Sequence, residues 1–235
     1  MQEVELSLII LCYKGENNII PFVNETLILL KKITTSFEII LIGNYIENSQ
    51  DKTPQIVQNL AKKHPEIIAI TKVKKGMLGW DLREGLKAAS GKYFCIIDGD
   101  GQFPLQSIEK CFIEIKSGNY DLVKTYRSVR KDGIYRKAIS IVFNIIFDLL
   151  FPKLGSRDVN SKPKILKKCA YQQMDLKSDD WFIDAEIMIN IKKLGMKTYE
   201  FPVEFKELEG RKSFVKVGAI FEFIMNLISY RFLKY

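Results

Sequence analysis

The chain has 235 residues, of which 47% are hydrophobic and 27% are charged, and this balance excludes a disordered protein and fits one large domain. Lysine and arginine outnumber aspartate and glutamate by 36 to 28, so the formal charge of +8 favours anionic partners such as phosphates, nucleic acid or an anionic membrane. A single histidine and four scattered cysteines give no pattern typical of a zinc site or of Ser-His-Asp and Cys-His catalysis.

The first half of the chain alternates apolar runs with amphipathic stretches. Strands are predicted at Val4–Leu11, Phe37–Ile42, Ile67–Lys72, Tyr93–Ile97 and Leu122–Tyr126, and helices at Asn17–Lys32, Thr53–Lys63, Gly79–Ala89 and Leu105–Ser117. This alternation favours an α/β fold with a mainly parallel sheet and helices on both faces. In such folds ligands bind beyond the carboxyl ends of the strands.

The second half changes character after a basic segment at residues 127–136. An apolar stretch and a lysine-rich stretch follow, which we interpret as an excursion from the sheet, before a helix at Asp184–Leu194, a strand at Lys197–Phe205 and a C-terminal helix from about Val215. The expected organisation is therefore one domain at 1–213, with a helical excursion at 134–154, and an amphipathic helix at 214–235.

Two apolar segments, Ala138 to Phe151 and Val215 to Leu233, are interrupted by charge, and no uncharged run reaches the roughly 18 residues of a membrane span. Basic residues bracket both segments: Lys131, Arg136, Lys137, Lys153, Lys212, Lys216, Arg231 and Lys234. This pattern is typical of helices that lie in a membrane interface. No secretory signal is predicted, so a cytoplasmic protein, peripheral at the inner face of the membrane, is expected.

The apolar run that begins at Tyr93 ends in two acidic side chains one residue apart. Asp98 and Asp100 can share a divalent metal ion, and Gly99 and Gly101 leave room for a charged ligand to approach the backbone. The ligands are hard oxygens, so Mg²⁺ or Mn²⁺ fits better than zinc. A metal ion bound together with a diphosphate is the favoured hypothesis.

The acidic pair has two other interpretations. The pair could be solvated carboxylates in a loop after an edge strand. A calcium-binding EF-hand loop is disfavoured, because Phe103 occupies the position that demands glycine for the sharp turn, and Pro104 follows it.

Three segments stand in the order and spacing of known motifs. Cys12–Asn18 looks like a Y-N-E-x-x-N turn, Gly76–Gly91 like a G-x-x-x-A-x-x-x-G-x-x-x-A-x-G helix, and Asp98–Pro104 like D-A-D-L-Q-H-P. On these motifs the chain resembles, along nearly all of its length, the inverting nucleotide-sugar glycosyltransferases of family 2 and, among them, the dolichyl- and polyprenyl-phosphate sugar synthases. The resemblance implies the GT-A fold, with a Rossmann-like sheet and added amphipathic interfacial helices.

The resemblance also implies a role for each matched residue. The donor is expected to contact Tyr13, Glu16, Asn44, Gly76, Asp98, Gly99 and Asp100, and Mg²⁺ or Mn²⁺ is expected at Asp98, Asp100 and Gln102. The acceptor phosphate is expected at Arg127, Arg136, Ser140 and Arg211, since guanidinium groups suit bidentate phosphate contact. Catalytic roles are expected for Asp100, Asp184 and Arg127.

The implied activity is metal-dependent transfer of a sugar from a nucleotide diphosphate to a polyprenyl phosphate at the membrane surface. A phosphate acceptor is already an anion, so no general base is required and the scarcity of histidine is explained. The alternative enzyme acts on a sugar hydroxyl in surface polysaccharide synthesis, for which Asp184 would have to serve as general base.

One segment departs from the family pattern. The family usually has two acidic residues after the second strand, which contact the base and ribose, whereas this chain has Gly43 and Asn44. Asn44 can hydrogen-bond a base edge, but a catalytically silent membrane-surface binding module is a further alternative. No nucleic-acid motif accompanies the basic charge, so nucleic acid is not an expected partner. A homo-oligomer is left open.

Overall fold

The computed structural model of the chain describes residues 3–130, 145–147, 149–152, 156–206 and 225–232, with backbone alone at 129 and 130. The strands in this part are β1 (Leu6–Leu11), β2 (Phe37–Ile42), β3 (Ile67–Ile70), β4 (Tyr93–Asp98), β5 (Leu122–Arg130), β6 (Lys164–Lys167) and β7 (Thr198–Phe205). The helices are α1 (Ile19–Ile33), α2 (Thr53–Lys63), α3 (Leu78–Ala88), α4 (Gln106–Lys116), the short α5 (Lys168–Tyr171) and α6 (Ile183–Lys193). Residues 145–147, 149–150 and 225–232 are also helical.

The strands form one sheet in the order β3-β2-β1-β4-β6-β5-β7. Strands β1 to β4 pair in parallel, and so do β5 and β7, whereas β6 runs antiparallel to its neighbours β4 and β5. The chain builds outward from β1 through β2 and β3, then returns to place β4 on the other side of β1. Such a reversal point opens a crevice at the carboxyl ends of the two strands.

The core lies in two layers, one on each face of the sheet. Strand β1 is buried at every position, as a continuous apolar run in a parallel sheet requires. One layer includes Phe22 of α1, Val57 of α2 and Phe112 of α4. The other includes Leu82 of α3 and Ile187 of α6, together with apolar side chains from the helical residues near 147 and 227.

The predicted α/β class with a mainly parallel sheet is confirmed, and the elements of the first half lie within a few residues of their predicted positions. The treatment of the lysine-rich stretch as an excursion from the sheet was wrong, because part of it forms β6. The reason is physical: Lys164 is fully buried in β6, and its charge breaks the apolar pattern expected of an inner strand.

The predicted excursion at 134–154 and the helix at 214–235 fall largely outside the described residues. Where these segments are described, Phe147 and Leu227 are fully buried, whereas Leu149 and Phe232 are 76% and 73% exposed. Within the described ranges, no helix combines the length and the apolar character needed to span a bilayer.

Candidate active site

The acidic motif lies at the carboxyl end of β4, in the middle of the sheet. The N–H of Gly99 donates to the carbonyl of Leu11 in β1 at 2.9 Å. A Cβ atom on Gly99 would lie 2.9 Å from a side-chain carbon of β1, so this close approach requires glycine. Gly101 has a φ of +71°, in the left-handed region. The two glycines therefore fix the turn that presents Asp98 and Asp100.

The same turn is tied to the end of β7. Asp100 accepts the backbone N–H of Gln102 through Oδ1 at 3.0 Å. The side-chain amide of Gln102 donates to the carbonyl of Lys206 at 3.1 Å, and the N–H of Lys206 donates to the carbonyl of Gln102 at 2.9 Å. The three predicted metal ligands, Asp98, Asp100 and Gln102, are thus brought to one anchored turn.

A buried ion-pair network joins this turn to the start of α6. The ammonium of Lys162 lies 3.1 and 3.3 Å from the two carboxylate oxygens of Asp98, and 3.3 Å from Oδ2 of Asp184. The other oxygen of Asp184 accepts a hydrogen bond from Lys164. The side chains of Lys162, Lys164 and Asp184 are at most 3% exposed, whereas that of Asp98 is 28% exposed.

The lysines decide the charge state of Asp184. Burial alone would raise the pKa of this carboxyl group, but Lys162 and Lys164 outweigh burial and hold the pKa below its usual range. Burial lowers the pKa of Lys164 to about 8, against the pull of Asp184. The pKa of Lys162 is raised, because Asp184 and Asp98 together overcome the effect of burial on this ammonium group.

Glu186, two residues after Asp184 in α6, has a structural role. Its carboxylate accepts the backbone N–H groups of Lys177 and Ser178 at 2.9–3.0 Å and the hydroxyl of Tyr230 at 2.7 Å. The residue is fully buried. Glu186 thus joins the segment before α6 to the helical residues 225–232.

Tyr13 and Glu16 lie in the turn that follows β1. Lys14 and Glu16 have φ values of 52° and 45°, which are uncommon for residues other than glycine and indicate a tight turn. The N–H of Glu16 donates to Oγ1 of Thr53 at 3.1 Å, at the start of α2. The ring of Tyr13 is faced by the ammonium groups of Lys14 and Lys74, at 5.4 and 4.6 Å from its centroid.

Asn44 is buried after β2 and uses both ends of its amide. Its Oδ1 accepts the N–H of Lys72 at 2.8 Å, and its Nδ2 donates to Asp81 of α3 at 2.8 Å. The other oxygen of Asp81 pairs with Lys74. Burial raises the pKa of Asp81, while Lys74 and Asn44 oppose this shift. A carboxylate therefore stands beside Asn44, but it comes from α3 instead of the loop after β2.

Gly76 lies against the segment that precedes α6. A Cβ atom on Gly76 would meet the carbonyl of Asp179 at 2.8 Å. The carbonyls of Asp179 and Asp180 accept N–H groups of Met77, Gly79 and Trp80 at 2.6–3.2 Å, so they satisfy the first turn of α3. A donor contact at Gly76 stays a prediction.

Arg127 lies in β5 and forms a bidentate ion pair with Asp158. Its Nε and Nη2 donate to the two carboxylate oxygens at 2.6 and 2.8 Å, and its guanidinium carbon lies 5.3 Å from the ring centroid of Phe205. The other predicted acceptor residues, Arg136, Ser140 and Arg211, lie outside the described residues. The acceptor role of all four stays a prediction.

The donor set of the motif fits a hard divalent cation that arrives with a phosphate ligand. In the described part of the chain, no group of three or more His, Cys, Asp or Glu side chains could hold a metal ion by itself. Mg²⁺ commonly takes one or two carboxylates and completes its shell with water and substrate phosphates. Asp98 and Asp100 match that incomplete set, and Gln102 adds an amide oxygen.

Several charged residues that contact the predicted site residues were not predicted from the sequence: Lys74, Asp81, Asp158, Lys162 and Lys164. Lys162 and Lys164 stand one residue apart before a short apolar pair, but in a chain with 36 basic residues this spacing does not stand out. Asp81 lies within the matched helix motif at Gly76–Gly91, so the charged residues inside that motif are a sequence signal that could have identified it.

Comparisons with known proteins agree with the fold. The sequence model of Glycosyl transferase family 2 matches residues 7–174. A dolichyl-phosphate beta-glucosyltransferase of Trichomonas vaginalis is 28% identical, in a match that covers 96% of the chain and 72% of that protein. A dolichol-phosphate mannosyltransferase of Pyrococcus furiosus is 30% identical, over 85% of the chain and 56% of that protein.

A solved structure supports the architecture independently. Glucosyl-3-phosphoglycerate synthase of Mycobacterium tuberculosis, in complex with Mn²⁺, uridine diphosphate and phosphoglyceric acid, has a TM-score of 0.74 to this chain. The match covers 97% of the chain and 78% of that structure at 14% sequence identity. At this identity the likeness establishes a shared fold and nothing about the ligand.

Proposed function

Because the chain belongs to Glycosyl transferase family 2, we propose that it transfers a sugar, with inversion, from a nucleotide diphosphate to a polyprenyl phosphate such as dolichyl or undecaprenyl phosphate. The chain is a nucleotide-sugar glycosyltransferase with the GT-A fold. The acceptor, the metal dependence, the stereochemical course and the site of action at the inner face of the membrane are the proposed parts.

The environment of Asp184 favours a phosphate acceptor over a sugar hydroxyl. A sugar hydroxyl needs a general base with access to the substrate and a pKa near the working pH. Asp184 is 2% exposed, is bound by two ammonium groups, and has a lowered pKa, so it is poorly suited to accept a proton. A phosphate acceptor is already an anion and avoids this requirement. The names of the two relatives, which act on dolichyl phosphate, support the same choice.

In the proposed donor site, Asp98 and Asp100 hold the metal ion with help from Gln102. When bound, the ion supplies positive charge to the leaving diphosphate. Tyr13, Glu16, Asn44, Gly76 and Gly99 are proposed to contact the nucleotide sugar. The anchored turn after β4 restricts the motion of the carboxylates, which favours binding because less side-chain freedom is lost.

In the proposed acceptor site, Arg127 contributes a guanidinium group that Asp158 orients at 2.6–2.8 Å. Arg136, Ser140 and Arg211 are proposed to complete the phosphate site. A planar fork held in one orientation is well suited to bidentate phosphate contact.

Nucleotide binding provides the direct test. We expect one of the UDP-, GDP- and dTDP-sugars to raise the melting temperature in the presence of Mn²⁺ and much less in EDTA, where binding is weaker. The donor found in this way should then support transfer to undecaprenyl phosphate in detergent and not to free sugars. Absence of metal-dependent stabilisation by every donor would contradict the proposal, and transfer to a sugar hydroxyl would favour the alternative acceptor.

Membrane attachment is proposed through the two segments near residues 145–152 and 225–232. Their exposed apolar side chains are Ile145, Leu149, Met225, Ile228 and Phe232. Apolar side chains next to basic residues bind an anionic surface, with about 1 kcal/mol for each basic residue. In a flotation assay at low salt, the protein should float with phosphatidylglycerol liposomes. With neutral liposomes it should stay at the bottom of the gradient. Failure to float with anionic liposomes would refute the attachment.

A further inference from the structure

Lys162 connects the metal motif to the helix that follows it. It is 3% exposed, and its ammonium lies 3.1–3.3 Å from oxygens of both Asp98 and Asp184. A lysine in this position touches a predicted metal ligand on one side and a carboxylate that needs charge compensation on the other. No role for this residue follows from the predicted motifs.

The position of this ammonium is fixed from two directions. The carbonyl of Lys162 accepts the hydroxyl of Thr125 in β5 at 2.6 Å, which holds its backbone. Asp184 bonds Lys162 through Oδ2 while Lys164 binds the other carboxylate oxygen, so Asp184 is itself oriented. A second ion pair, with Asp184, therefore holds the lysine head group beside Asp98.

Charge at the carboxyl end of β4 depends on this lysine. Asp184 shares the ammonium of Lys162 with Asp98, and Asp100 lies two residues further along the same turn, so three carboxylates converge on one region. Two ammonium groups, Lys162 and Lys164, offset all but one of these negative charges. Without Lys162, the region would repel an incoming diphosphate more strongly and attract a bare divalent cation more strongly.

We propose that Lys162 is a positioning residue whose ammonium acts as a resident cation on Asp98. This inference rests on the proposed donor site. Lys162 holds Asp98 in one orientation, offsets part of the charge that opposes diphosphate binding, and competes with free metal for the same carboxylate. The metal requirement of the site is therefore set partly by a lysine whose ammonium group is not itself a metal ligand.

The experiment compares Lys162→Met with Lys167→Met, a control in β6 whose ammonium is 25% exposed and pairs with Asp121. Binding of Mn²⁺ alone is measured by electron paramagnetic resonance of the free ion. Binding of pyrophosphate in EDTA is measured by calorimetry. In Lys162→Met we expect about tenfold tighter Mn²⁺ binding and about fivefold weaker metal-free pyrophosphate binding, because one positive charge is removed near both ligands. The control should change neither.

Opposite shifts for cation and anion distinguish a charge effect from local unfolding, which would weaken both. If Lys162→Met does not fold, Lys162→Gln, which retains a polar N–H donor without the charge, should show the same two shifts. Unchanged Mn²⁺ and pyrophosphate affinity in a folded variant would overturn the role of Lys162 alone. No Mn²⁺ binding by the wild type, with or without pyrophosphate, would overturn the proposed donor site and this role with it.

Discussion

Replacement of Asp100 with Asn is expected to reduce sugar transfer by about 100- to 1000-fold, the size of effect seen when one charge-stabilising group is lost from a transition state. The amide oxygen can still accept the N–H of Gln102, which Asp100 accepts at 3.0 Å, so the turn after β4 should persist. The loss would then be one of charge toward the metal and not of folding. Transfer is measured with the donor identified by the thermal-shift screen.

The matched control for this variant is Asp175→Asn, since that side chain is 75% exposed and pairs with another surface group, Lys177. Exposed ion pairs of this kind contribute about 0–1 kcal/mol, so the control should retain transfer and stability. Asp100→Asn should also lose the stabilisation by nucleotide sugar with Mn²⁺. Retention of transfer within about threefold of wild type would show that Asp100 is not required at the donor phosphates.

Much of the fold could be predicted because parallel strands that are covered on both faces need apolar side chains at nearly every position. Their sequences are therefore long apolar runs, as in β1 and β4. The gathering of Tyr13, Asn44 and Asp98 at one edge follows from the same rule, since the carboxyl ends of parallel strands meet there. Strand β6 was missed because its inner position carries Lys164, whose burial depends on an ion pair with a residue distant in sequence.

The role of Lys162 could not be predicted without β6. This strand runs antiparallel to β4 with Lys164 opposite Ile96, so the residues before β6 continue alongside the end of β4 and bring Lys162 beside Asp98. The hydrophobic pattern of a sequence indicates which residues are buried and whether they form a helix or a strand. It does not indicate which strand lies between β4 and β5 in the sheet. The pairing therefore becomes visible only with the sheet order.

The missing acidic pair after β2 has a partial structural answer. Asp81 of α3 supplies a carboxylate 2.8 Å from the amide of Asn44. Lys74 forms an ion pair with this carboxylate, and its ammonium group also faces the ring of Tyr13. The loop after β2 thus has a polar environment, and the carboxylate in it comes from α3. Asn44 therefore lies beside a carboxylate although the family's acidic pair is absent, and it does not lie in an apolar pocket.

Asp184→Asn should lower the free energy of unfolding by about 3–5 kcal/mol, the cost of removing one partner from a buried ion pair. Lys164 is fully buried, and the loss of the Asp184 charge would leave its ammonium to remain charged without a counter-ion or to release its proton, with only the carbonyl of Ser161, at 2.9 Å, and a neutral amide as acceptors. Lys162 would retain Asp98 as its partner. Urea denaturation measures the change, with Asp175→Asn as the exposed control.

A second substitution separates this charge effect from a packing defect. Asp184→Asn combined with Lys164→Met removes both members of the pair, and apolar replacement of a buried pair is often neutral or stabilising. The double variant should therefore recover at least half of the lost stability, which gives a coupling energy of about 1.5 kcal/mol or more. If the two substitutions add, the pair is not the source of the loss. A stable double variant that still transfers sugar to polyprenyl phosphate would also show that Asp184 is not the general base, and it would leave the acceptor phosphate as its own nucleophile.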